Sequence, residues 1–99
     1  MNTITLAPVP PLAQWTRYDN WRRSLGVNVG GYWYNVCYRH RLDSRSAPAV
    51  YVVYGPVGTD YGNGVHYMDL DGNPCREPVD HTTAARARHA VVKHQGART

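Results

Sequence analysis

The sequence predicts an α+β fold: a three-stranded antiparallel β-meander packed against a C-terminal helix, with an additional N-terminal aromatic helix, in the order α-β-β-β-α. Three observations lead there. Two-residue alternation of apolar and polar side chains begins at Tyr32, β-branched and aromatic runs follow between glycine and proline punctuation, and a stripe of small apolar residues at helical spacing closes the chain. A length of 99 residues suits one domain with one modest core.

Residues 1–11 contain Pro8, Pro10 and Pro11, which lack backbone donors, so this stretch reads as an extended proline-rich arm that a partner can order, leaving 12–99 as a single domain. From Leu12 to Leu25 the residues Leu12, Trp15, Tyr18, Trp21 and Leu25 fall within half of a helical wheel. Pro11 suits the first turn and Gly26 the position past the end, which together predict a helix. Gly30-Gly31 punctuates the chain. Tyr32, Tyr34, Val36, Tyr38, His40 and Leu42 then share one face of a strand, and Asn35, Cys37, Arg39 and Arg41 the other. Turn chemistry from Asp43 to Pro48 leads to Ala49–Tyr54, apolar on both faces as a central strand requires. Val65–Leu70 reads as a third strand, stopped by Asp71-Gly72, and Pro74 and Pro78 make 73–79 irregular or an edge. Asp80 or a threonine after it caps a helix running to Gln95, with Ala84, Ala87 and Val91 inward and Arg86, His89 and Lys93 outward.

Composition narrows the function. No apolar run reaches the length of a membrane helix and the N-terminal residues lack a secretion signal, so a cytoplasmic protein with no membrane partner is expected. The net charge is +4, ten of eleven basic residues are arginine, and the acids concentrate in the middle of the chain while both ends are basic. That balance favours an anionic partner. Phenylalanine is absent while tyrosine occurs eight times, a bias toward rings with a wet tip, as at interfaces and stacking platforms.

Motifs for chemistry are sparse. Cys37, His40, Cys75 and His81 form a nominal zinc set, but their spacing fits no zinc knuckle. Asp69, Asp71, Asn73 and Asp80 fall in calcium-loop register, with Pro74 where that loop needs glycine. No metal, no cofactor and no catalytic residue is therefore assigned, and the pairing of Cys37 with Cys75 stays open. The order helix, three strands, helix resembles that of double-stranded RNA-binding domains. The lysine-rich start of their last helix has no counterpart in Asp80–Arg86.

The expected function is that of a small non-enzymatic binding protein that engages nucleic acid through Arg17, Arg22, Arg23, Trp33, Arg39, Arg41, Arg86 and Lys93. Arginine pairs phosphates and stacks on rings, and Trp33 falls with the polar residues of its strand. The alternative is a protein-protein interaction module, such as a small phage or mobile-element accessory protein that blocks a host factor or joins an assembly. It would meet an acidic protein surface through the same aromatics, and a homodimer is compatible with it. The remaining enzymatic reading is a metal-independent ribonuclease drawing its imidazole from His66, His81 or His89.

Overall fold

The computed structural model describes residues 8–18, 24–39, 49–59 and 63–97. Among the described residues, six strands form one antiparallel meander in the order β1-β2-β3-β4-β5-β6. They are β1 (Thr16–Tyr18), β2 (Ser24–Val29), β3 (Tyr32–Arg39), β4 (Ala49–Pro56), β5 (His66–Met68) and β6 (Pro74–Cys75), followed by one helix, α1 (Ala84–Gly96).

The predicted three-stranded meander with an N-terminal helix is overturned. In place of the helix over 12–25 stand a single 3-10 turn at Leu12–Gln14 and two strands, β1 and β2. Two periodicities compete in this stretch, and the alternating one wins: Leu25, Val27 and Val29 point to the core, and Gly26 lies within a strand instead of ending a helix. The Gly30-Gly31 pair, at φ 56° and 83°, is a two-residue hairpin loop that pairs Val29 with Tyr32. Both glycines take the left-handed conformation that such a loop demands, which requires a strand before the loop as well as after it. The likeness in element order to double-stranded RNA-binding domains falls with the helix.

The other elements lie close to where the residue pattern puts them. β3 and β4 pair in register from Tyr32↔Pro56 to Arg39↔Ala49, and β4 is buried on both faces. Asp69 accepts from the amides of Asp71 and Asn73 on one carboxylate oxygen, both at 2.9 Å, so the calcium-loop register is a tight turn leading into the edge strand β6. Thr83 caps α1, its hydroxyl accepting from the Arg86 amide at 3.2 Å. Before the cap, the His81 amide donates to Val50 O at 2.7 Å and the Val50 amide donates to Asp80 Oδ1 at 3.2 Å, extending the β4 ladder past the end of β5.

The larger core cluster lies on one side of the sheet. Val36, Val52, Met68, Ala87, Ala90 and Val91 are fully buried there, with Trp15 and Val50 close to it, so α1 sits directly on β3 and β4. Alanines at the contact let the helix approach closely. Gln95 ties the layers together, its amide nitrogen donating to Val29 O at 3.0 Å and to Tyr34 Oη at 2.6 Å. The Tyr34 hydroxyl is in turn 2.6 Å from His94 Nδ1. The proline-rich arm is held where it is described: Arg88 donates to Val9 O and Pro10 O at 2.8 and 2.9 Å, and the Trp15 indole donates to Pro10 O at 2.9 Å. No helix among the described residues is long and apolar enough to cross a membrane.

Candidate nucleic-acid interface

Strand alternation gives the sheet a second face, turned away from α1. Toward β4 and β5 it is apolar, with Cys37, Tyr51 and Val53 buried and Trp33, Val65 and Tyr67 packed around them. Toward β1 and β2 it is polar, and there it is concave. A groove of about 180 Å³ is lined by the side chains of Thr16, Asn28, Trp33 and Asn35, with Gly26 among them. Val27 and Tyr34 also border it, but their side chains belong to the helix-side core, so they contribute backbone.

The register explains the groove. Thr16 pairs with Gly26 and Gly26 with Asn35, so these three form one row across β1, β2 and β3, while Asn28 and Trp33 form the next row. Adjacent strands are about 4.8 Å apart, so Thr16 and Asn35 flank a gap of two strand spacings. Gly26, between them, is buried and contributes only backbone to the lining. Among the described residues no lining residue carries a charge; Trp33, Asn28, Asn35 and Thr16 are the polar and aromatic members of the lining. Such a set can stack a flat ring and offer both donors and acceptors to its edge.

The expected site residues separate in space. Trp33 is half-buried at the groove, whereas Arg17, exposed on β1, pairs with the core-facing Leu25 and so projects from the helix-covered side of the sheet. Arg86 and Lys93 are exposed on α1, which covers the opposite side of the sheet, and Lys93 Nζ lies 3.4 Å from Asp71 Oδ1. Arg39 contributes its backbone to β3, and its side chain lies outside the described residues, as do Arg22, Arg23 and Arg41. Sequence reasoning missed Thr16, Gly26, Asn28 and Asn35 as a group. The signal was the alternation of Leu25, Val27 and Val29 against Gly26 and Asn28, masked by the helical reading.

A second concentration of polar rings lies on the helix-covered face. The His94 ring stands edge-on to Tyr54, Tyr32 and Tyr34 at centroid distances of 4.5, 5.2 and 5.5 Å. Burial, reinforced by the Tyr32 and Tyr34 phenols, pushes Tyr54 up to about 12, which keeps it protonated and unsuited to act as a base. Of the histidines considered for catalysis, His81 is fully buried, with Nε2 donating to Met68 O at 2.8 Å, so it has no access to a substrate. Cys37 and Cys75 are free thiols on strands β3 and β6, three strand spacings or roughly 14 Å apart. That separation exceeds the reach of a disulfide.

The fold and groove define an α+β module with one face of its sheet covered by a helix and a groove of about 180 Å³ on the other. Comparison with family models, curated proteins and solved structures finds no match.

Proposed function

We propose that the chain is a binding module that takes single-stranded nucleic acid on the helix-free face of its sheet. The observation that carries this reading is Trp33, an indole half-exposed beside a groove of amides and a hydroxyl, on the face that does not receive the helix. Bases stack on such rings whatever their sequence, each contact contributing about 1–3 kcal/mol. A net charge of +4 supplies long-range attraction to phosphates. A duplex hides its base faces, so the groove favours unpaired strands.

Fluorescence anisotropy with labelled single-stranded and duplex RNA and DNA tests this. Single strands are expected to bind more tightly than duplexes, with affinity falling steeply between about 50 and 200 mM salt as counterions are released. Trp33→Ala is expected to weaken binding at least tenfold at a temperature where circular dichroism shows the variant folded, since Trp33 also packs against Cys37, Tyr51 and Val53. Absence of binding at low salt contradicts the proposal and leaves a protein partner, to be sought by pull-down.

A further inference from the structure

We propose that Asn63 is a site of spontaneous covalent modification: its side-chain amide is displaced by the backbone nitrogen of Gly64 and lost as ammonia, which leaves aspartate or isoaspartate in the loop between β4 and β5. Ring closure of this kind makes three demands. The asparagine side chain must be unengaged, the next amide nitrogen must be open to attack, and the backbone between them must be able to turn. Asn63 and Gly64 are both exposed outside the strands, and neither the Asn63 side chain nor the Gly64 amide bonds to another described residue. Gly64, at φ 74°, also brings no side chain to shield its nitrogen.

The other described positions each fail one demand. Asn28 and Asn35 lie inside β2 and β3, where ladder pairing fixes the backbone and the next residues, Val29 and Val36, are β-branched and crowd the approach. Asn35 Oδ1 is further engaged by Cys37 Sγ at 3.4 Å. Asn73 precedes Pro74, whose nitrogen carries no hydrogen to lose. Asp71-Gly72 has the sequence for the related isomerisation of aspartate, but Gly72 is buried and its amide donates to Asp69 O at 3.1 Å. Asn63 alone among the described asparagines meets all three demands.

Water is the only co-reactant. The Gly64 nitrogen gives up its proton to solvent base and attacks Asn63 Cγ, so that the new N–Cγ bond closes a succinimide ring. The Cγ–Nδ2 bond breaks, and Nδ2 takes up a proton and leaves as ammonia. Water then opens the ring. Attack at Cγ restores the original main chain with an aspartate side chain, whereas attack at the Asn63 carbonyl carbon routes the main chain through Cγ as isoaspartate. Either product carries a carboxylate where an amide stood, so the net charge of +4 falls by one. In isoaspartate the main chain also gains a methylene shortly before Val65, which packs against Cys37, Tyr51 and Val53.

The test is to age the full chain in water labelled with heavy oxygen, at physiological temperature, in mildly acidic and mildly alkaline buffers. Cation exchange and peptide mapping by mass spectrometry follow, and the readout does not depend on what the helix-free face binds. One less basic species is expected, labelled at residue 63 as both aspartate and isoaspartate, forming several-fold faster in the alkaline buffer because the attacking nitrogen must lose a proton. Asn63→Ala, at an exposed position, is expected to abolish that species. A parallel incubation in concentrated urea separates structure from sequence: Asp71 is expected to isomerise several-fold faster there than in the folded chain, while Asn63 reacts in both. No label at residue 63 in the folded chain overturns the proposal, as does label that appears first at Asn28, Asn35 or Asn73. Asp71 isomerising as fast folded as in urea overturns the selection by exposure and hydrogen bonding on which the assignment of Asn63 rests.

Discussion

The two faces of the sheet use the same strands for opposite purposes. On the helix-covered face, Val36, Val52 and Met68 are shut away from solvent beneath α1, and the polar groups that reach in, Tyr34, His94 and Gln95, bond to one another. On the other face, the β1–β3 region presents Thr16, Gly26, Asn28, Trp33 and Asn35 around an open groove. One residue of offset along β3 separates a core tyrosine from a half-buried indole on the other face. The helix-covered face carries the larger buried cluster, while the other face buries Cys37, Tyr51 and Val53 toward β4 and forms the groove toward β1.

That division is broken most severely where α1 meets the chain it packs on. A Cβ at Gly72 would lie 2.7 Å from Ala90 O and 2.9 Å from His94 N, both backbone atoms, at a φ of 83°. Gly72→Ala is therefore expected to cost about 3 kcal/mol or more, lowering the thermal midpoint by roughly 12 °C or more in calorimetry. A matched pair sharpens the contrast between faces. Val52→Ala, at a fully buried position, is expected to cost about 2 kcal/mol, whereas Asn35→Ala on the other face is expected to change stability by less than about 0.5 kcal/mol. Equal losses in urea titrations of the two variants would show that the groove side is part of the structural core.

Smaller effects follow from single polar contacts. Tyr34→Phe deprives both Gln95 and His94 of a partner and is expected to cost about 1–2 kcal/mol, measured by chemical denaturation. Thr83→Ala removes the cap of α1 and is expected to cost about 1 kcal/mol. Alkaline titration gives the gentlest test. Tyr54 ionises at about 12 in the folded chain against an ordinary value of 10.0, so the stability it contributes is fully present below pH 10 and is lost as pH rises through 12. Tyrosinate absorbance is expected to show one late-ionising phenol that disappears in Tyr54→Phe.

Much of the fold was legible because certain residues allow one reading. The run Ala49–Tyr54 is apolar at every position and became the buried β4; Thr83 and the alanines after it specify α1 through a cap and a narrow stripe. The N-terminal quarter was not legible in the same way, since Leu12, Trp15, Tyr18, Trp21 and Leu25 satisfy helical spacing while Leu25, Val27 and Val29 satisfy strand spacing. Long-range pairing of β2 with β3 decides between them, and the signal for it was Gly30-Gly31. For the site, Trp33 stood out by falling among polar residues, but its neighbours come from strands that local periodicity had not resolved. Arg86 and Lys93 joined the expected site through charge alone, and charge does not say on which side of a sheet a helix lies.

The central claim is that recognition belongs to the helix-free face. Nuclear magnetic resonance titration of the isotope-labelled protein with a short single-stranded oligonucleotide tests it residue by residue. Binding is expected to shift the amides of Thr16, Gly26, Asn28 and Asn35 and the indole of Trp33, with the outward residues Arg86, His89 and Lys93 of α1 unmoved. Shifts confined to α1, with the groove silent, would contradict the account.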